Sequence, residues 1–263
     1  MTIKAVLFDL DDTLLWDERS VKEAFRATCQ EAAKRYTLDP DALEDAVRRV
    51  ARALYESYET FPFTKMIGIN PFEGLWANFT EGKQEQFRKL QALAPGYRQQ
   101  SWTRGLKALG VDDEQLGSLL AEMFPAERRN RPIVYEETFE VLDQLKGKYK
   151  LLLLTNGSPD LQKEKLAGVP QLEPYFDHIV ISGEFGEGKP AASIFEHAMS
   201  LLGIGPEEGV MIGDKLTTDI LGSNTVGMRN MWINRHDLPR TDIEPAYEIA
   251  SLREIQGVID QIS

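Results

Sequence analysis

The chain has 263 residues, 42% of them hydrophobic, enough for one large core or two smaller ones. Its 30 Lys and Arg against 42 Asp and Glu give a formal net charge of −12. That balance leaves no basic stripe for nucleic-acid phosphates and no basic face for an anionic membrane. A single cysteine, Cys29, excludes an internal disulfide framework and any multi-cysteine metal centre. No apolar run reaches the length of a membrane span, and the first residues read as a strand instead of a signal peptide. A soluble, cytoplasmic, globular protein is expected.

Ile3 to Phe8 is a run of strand formers that ends in Asp9-Leu10-Asp11-Asp12, a buried strand with a charged carboxyl end. Ser20 and Glu23 have capping-box spacing, which predicts a helix from there to Tyr36. Asp39-Pro40 predicts a second helix start, followed by Leu43, Val47, Val50, Ala51 and Leu54 at steps of three and four. Residues 60–80 are aromatic and broken by Gly and Pro. Packing inside a helical domain or a subunit contact is expected of them, with a substrate-facing loop as the alternative. Helical spacing returns at 83–93, 96–109 and 113–123, and the arginine-rich 127–131 reads as a solvated helix end or hinge, with an arginine reaching a substrate carboxylate as the alternative.

Beyond Pro132 the texture alternates. Helices are predicted at 136–145, 159–166, 191–202, 218–226 and 251–262, and strands at 149–154, 179–181, 210–212 and 229–233. Alternation of this length implies an α/β fold with a doubly wound parallel sheet covered on both faces. The expected organisation is an α/β core of residues 1–16 and 130–263, interrupted by an all-helical insertion at 17–129.

Open parallel sheets bind ligands beyond the carboxyl ends of their strands. Four such ends carry chemistry here: Asp9-Leu10-Asp11-Asp12-Thr13, Thr155-Asn156-Gly157, Gly188-Lys189-Pro190, and Gly213-Asp214-Lys215 running on to Asp219. If the strands are neighbours, three or four carboxylates, a lysine and a threonine converge. Gathered carboxylates repel and need a cation among them. An oxygen-only donor set favours a hard ion, Mg²⁺ by default, and that ion calls for an anionic substrate such as a phosphate. His178, His197 and His236 are too scattered to form a metal site.

In order and spacing these four motifs resemble those of the haloacid dehalogenase-like hydrolase superfamily, and the helical insertion falls where that family places its cap. The resemblance implies Asp9 as nucleophile and metal ligand, and Asp11 as general acid/base with its main-chain carbonyl on the metal. It implies Thr155 and Asn156 as phosphate-holding residues, Lys189 as the lysine that binds the phosphoryl group and steadies Asp9, and Asp214 as a direct metal ligand. Asp219 is expected to orient the ligand shell or to pair with Lys189, and Asp12 receives no role. Leu14-Leu15-Trp16 is expected to form a flap beside the nucleophile.

The implied activity is Mg²⁺-dependent hydrolysis of a small phosphorylated metabolite, a phosphomonoester, through an aspartyl-phosphate. O-phosphoserine leads, because the chain is similar to a branch of phosphoserine phosphatases with this cap placement. Phosphoglycolate, a nucleotide or a sugar phosphate are the alternatives. A sugar-phosphate mutase and a non-enzymatic binding module follow. A dehalogenase is disfavoured, since that branch lacks the second acid that Asp11 supplies. Monomer and homodimer both stay open.

Overall fold

In this computed structural model, which describes residues 2–262, the central strand β1 (Ala5–Phe8) lies between β2 (Lys150–Thr155) and β4 (Gly209–Gly213). Outside them run β3 (His178–Ile181), β5 (Arg229–Ile233) and β6 (Tyr247–Ile249), giving the order β3-β2-β1-β4-β5-β6. Every pairing is parallel, as the expected doubly wound α/β class requires. The register sets Phe8 opposite Leu153 on one side and Ile212 on the other, so the residues after β1 and β4 and at the end of β2 emerge together.

The helices are α1 (Asp17–Ala33), α2 (Pro40–Ser57), α3 (Phe61–Ile67), α4 (Pro71–Gly74), α5 (Glu85–Ala108) and α6 (Glu114–Arg129). They are followed by α7 (Thr138–Leu145), α8 (Pro159–Gly168), α9 (Ser182–Phe185), α10 (Ala192–Leu202), α11 (Leu221–Thr225) and α12 (Ile255–Ile262). Contacts divide the chain into two compact units. One holds the chain up to Trp16, Val134–Gly157 and everything from Val169 on; the other holds Asp17–Ile133 and Ser158–Gly168.

In the α/β unit all four residues of β1 are fully buried, which is why its sequence shows no alternation. Ala5, Leu7, Leu152, Leu154 and Met211 share one apolar cluster with Ile194, Phe195, Ala198 and Leu202 of α10. The three-residue β6 was not predicted. So short a strand, with Tyr247 and Glu248 outside the core, gives no apolar run to read. Among the described residues no helix is long and apolar enough to cross a membrane.

In the helical unit Phe25 is fully buried, with the rings of Phe124, Trp102 and Phe72 at 4.5, 5.7 and 6.3 Å. Cys29 belongs to the same core. The aromatic stretch is absorbed there too: Phe63, Trp76 and Phe79 are buried, and Phe61 and Phe72 pack against them.

Several local expectations give way to tertiary packing. Helix α1 begins at Asp17, and Ser20 lies inside it with its hydroxyl donating to the Arg131 carbonyl, so Ser20 is no cap. Helix α5 runs unbroken through Pro95, where two helices were predicted, and α6 runs through Pro125. An interior proline costs about 3 kcal/mol. In α5 the buried Leu90, Ala94, Tyr97 and Trp102 span Pro95 on both sides, and their burial offsets that cost. The arginine run ends α6 and is partly solvated, as expected, except that Arg128 is 5% exposed and ion-paired with Asp17; the exposed Arg129 pairs with Glu164. Residues 130–133 and 158–168, expected in the core domain, group with the helices instead. For α8 the cause is visible in Leu161, which is part of the helical core, and in Lys165, whose Nζ lies 2.9 Å from Glu73 Oε1.

Replacing Phe25 with Ala is expected to destabilise the protein by about 3–5 kcal/mol, read as a lowered urea midpoint at unchanged slope. A loss below about 1 kcal/mol would show that the aromatic cluster is not what holds the helical unit.

Candidate active site

The site is assembled at the carboxyl ends of β1, β2 and β4. The Asp9 amide donates to the Ile212 carbonyl at 2.9 Å, which carries the strand pairing one residue further and fixes the start of the loop. Leu14 and Leu15 N–H groups both return to the Leu10 carbonyl, at 3.0 and 2.9 Å, while the Asp12 amide donates to the Leu15 carbonyl at 2.7 Å. This tight turn places Asp12 at φ 59°, a left-handed conformation that Asp accepts more readily than most residues. The fully buried Thr13 directs its hydroxyl toward Asp9 Oδ2 at 3.4 Å.

The same loop is held from the other side. Thr138 Oγ1 donates to the Leu14 carbonyl at 2.9 Å, and Arg235 Nη2 donates to the Thr13 carbonyl at 3.3 Å. Arg235 also pairs with Glu137 at 2.5 Å and lies 3.6 Å above the Tyr135 ring, which stacks on Trp16 at 5.1 Å.

Lys189 sits at the centre of the charges, 4% exposed. Its Nζ lies 2.7 Å from Asp9 Oδ1, 2.7 Å from Asp219 Oδ1 and 2.6 Å from the Leu154 carbonyl. Burial opposes its charge, but Asp219 and Asp9 outweigh that and hold its pKa above the ordinary lysine value. Asp219 is committed twice, since its Oδ2 also accepts the Lys215 amide at 3.1 Å. Gly213 makes this possible: a Cβ there would come within 2.3 Å of the Asp219 carboxyl carbon.

Asp214 follows β4 with its backbone carbonyl accepting Trp232 Nε1 at 2.7 Å. Its Oδ1 is buried and accepts no hydrogen bond from the described residues. Burial, then the charges of Asp9, Asp219 and Asp12, push its pKa well above the carboxylate range against the pull of Lys215. Burial likewise raises Asp9 to about 6, with Lys189 opposing and Asp219 and Asp11 adding repulsion. Carboxylate oxygens of Asp9, Asp214 and Asp219 all lie within 4.8 Å of one another.

Thr155 is buried at the last position of β2, and Asn156 turns its side chain onto the Lys189 backbone. Asp9, Asp11, Thr155, Asn156, Asp214 and Asp219 therefore lie on these strand ends or the segments that follow them, and Lys189 reaches them from the segment between α9 and α10. Two further groups belong to the site. Thr13 reaches the nucleophile candidate, and Lys215 carries its charge into the field of Asp214, Asp9, Asp11 and Asp219. Lys215 follows Asp214 directly, but its spacing did not say that its charge would act on these carboxylates.

A profile of the haloacid dehalogenase-like hydrolases matches residues 3–227. The chain belongs to that family. Phosphoserine phosphatase of Thermus thermophilus is 33% identical over 254 residues, 96% of this chain and 98% of its own length. N-acylneuraminate-9-phosphatase of Mus musculus is 33% identical over 184 residues, 68% of this chain and 74% of its own. The magnesium-bound haloacid dehalogenase-like hydrolase YfnB of Bacillus subtilis shares the fold at TM-score 0.66 and 23% identity, covering 99% of this chain and 100% of its own. The haloacid dehalogenase-like chain is an enzyme of this family, a phosphatase.

The donor set fits a hard divalent ion. It offers carboxylate oxygens alone, one of them a buried orphan on Asp214, and burial with mutual repulsion raises the pKa of Asp9 and Asp214. An acid whose pKa is higher folded than unfolded makes folding costlier as pH rises. For Asp9 that cost develops between its ordinary 3.8 and about 6 and is fully present above. Mg²⁺ is therefore expected to raise the Tm more at about pH 8 than at about pH 5, where a proton already occupies Asp9. An equal rise at both values, or none, would contradict a metal held by this cluster.

Proposed function

We propose that this phosphatase hydrolyses a small phosphomonoester, with O-phosphoserine as the leading substrate, through an aspartyl-phosphate on Asp9. The observation that carries the reading is Lys189 bridging Asp9 and Asp219 beside the orphan oxygen of Asp214. Gathering three carboxylates and a buried lysine so closely brings no structural gain, whereas such a set suits phosphoryl transfer. The full-length likeness to a phosphoserine phosphatase supports the substrate. The likeness to a sugar-acid phosphatase supports a sugar phosphate as the second reading.

Asp9, Asp214 and the Asp11 main-chain carbonyl are the proposed holders of Mg²⁺, with Asp219 orienting the set through Lys189 and the Lys215 amide. The bound ion supplies positive charge that draws the phosphate in and offsets charge on its oxygens. Asp9 attacks phosphorus through a carboxylate oxygen as the bond from phosphorus to the leaving oxygen breaks. Asp11 gives its proton to that oxygen, and the alcohol departs. Asp11, now a carboxylate, takes a proton from a water that attacks the same phosphorus. The bond to Asp9 breaks, phosphate leaves, and both acids return to their starting states.

Lys189 and the Thr155 hydroxyl hold the phosphoryl oxygens as charge redistributes. Thr13 and Lys189 flank the two Asp9 oxygens, which limits their rotation. The −12 formal charge of the chain makes local positive charge at the site the more necessary.

Phosphate release with Mg²⁺ across O-phosphoserine, phosphoglycolate, nucleoside monophosphates and sugar phosphates tests the reading. One of these, O-phosphoserine first, should stand out in kcat/KM. Asp9→Asn should cost on the order of 10⁴-fold or more, and Asp11→Asn about 10²- to 10⁴-fold. Turnover that survives a chelator, or survives Asp9→Asn, would overturn the mechanism. A winning sugar phosphate would keep the mechanism and replace the substrate.

A further inference from the structure

Asn156 follows a strand, yet its side-chain amide is turned onto another segment of chain. Its Oδ1 accepts the Lys189 amide at 2.8 Å, and its Nδ2 donates to the Lys189 carbonyl at 2.9 Å. Both main-chain polar groups of Lys189 are thus taken by one side chain, 33 residues away in sequence.

Lys189 needs such a partner. It lies between α9, which ends at Phe185, and α10, which starts at Ala192, so neither strand nor helix fixes its backbone. Gly186, at φ 109°, and Gly188 precede it, which gives that stretch more backbone freedom than most residues allow. The start of the segment is tied to the same strand end: the Gly157 amide donates to Ser182 Oγ at 2.9 Å, and the Gly183 amide donates to the Gly157 carbonyl at 3.1 Å. The Lys189 ammonium then returns to the Leu154 carbonyl at 2.6 Å. Gly157, Asn156 and Leu154, at and just past the end of β2, therefore grip the segment at its start, at the Lys189 backbone and at the Lys189 side-chain tip.

We propose that Asn156 is a positioning residue that acts through Lys189, its reciprocal amide pair setting where the ammonium stands relative to Asp9 and Asp219. Through this pair the side-chain amide serves the phosphoryl group indirectly. A displacement of about 1 Å in such a group costs up to about 100-fold in rate. The proposal rests on the reading of Lys189 as the phosphoryl-binding lysine of a phosphatase.

The test is a double-mutant cycle read as kcat and KM separately, using the best phosphomonoester and Mg²⁺. Asn156→Ala should lower kcat about 100-fold with a smaller change in KM. In a Lys189→Met background the same substitution should cost less than about threefold more, because the group it positions is gone. Asn156→Asp keeps the acceptor for the Lys189 amide and loses the donor to its carbonyl, so an intermediate loss is expected. It also provides a second variant should Asn156→Ala fail to fold.

A parallel readout does not depend on turnover. Acylation of lysines followed by mass spectrometry should find Lys189 protected in the parent and labelled in Asn156→Ala, with Lys165, buried elsewhere, protected in both. Losses that multiply in the cycle, or a Lys189 that stays protected in Asn156→Ala, would overturn the proposal. A parent that releases phosphate from no substrate while Lys189 becomes labelled in Asn156→Ala would remove the phosphatase reading and leave the positioning role standing.

Discussion

A single ammonium group organises the carboxyl end of this sheet. Lys189 Nζ lies at hydrogen-bonding distance from Asp9, Asp219 and the Leu154 carbonyl, inside the protein. That positive charge offsets the repulsion between Asp9 and Asp219, whose oxygens lie with one of Asp214 within 4.8 Å of one another. The strand order exists to bring these groups together. Putting β1 between β2 and β4 sets Asp9 beside the Leu154 carbonyl on one side and Gly213-Asp214 on the other. The absence of a side chain at Gly213 then lets Asp219 fold back onto the lysine.

Around this centre the chain spends its polar groups on orientation. The loop after β1 is closed by its own backbone and fastened by Thr138 and by Arg235, whose guanidinium is fixed by Glu137 and the Tyr135 ring. The segment carrying Lys189 is fastened by Asn156 and Ser182. Such support matters because electrostatic catalysis depends on groups that do not reorganise during the reaction. In the helical unit the logic differs. Its interior is aromatic, yet Asp17, Glu73, Arg128 and Lys165 are buried within it as opposite charges in contact. Buried pairs of this kind contribute little net stability but penalise any packing that would separate them.

The sheet and its chemical residues were legible because both signals are local. Fully buried parallel strands appear as unbroken apolar runs, and Asp9, Thr155 and Asp214 stand directly at their ends. What the sequence withheld depends on residues far apart. Arg128 and Asp17 are separated by 111 positions, so Arg128 reads as part of a solvated helix end until its partner is seen. Asn156 reads as a phosphate contact by its motif, and only the fold shows its amide facing Lys189. Pro95 and Ser20 mislead in the opposite sense. Each carries a strong local signal, one to break a helix and one to start it, and each is overruled by packing within the helical unit.

Catalysis through Asp9 requires that this residue become covalently phosphorylated, which can be observed directly. Rapid acid quench during turnover with Mg²⁺, followed by mass spectrometry of the peptide containing Asp9, should show the added mass of one phosphoryl group. The species should persist longer in Asp11→Asn and be absent from Asp9→Asn. Turnover with no phosphorylated peptide in Asp11→Asn at any quench time, or a phosphoryl group found on another residue, would contradict it.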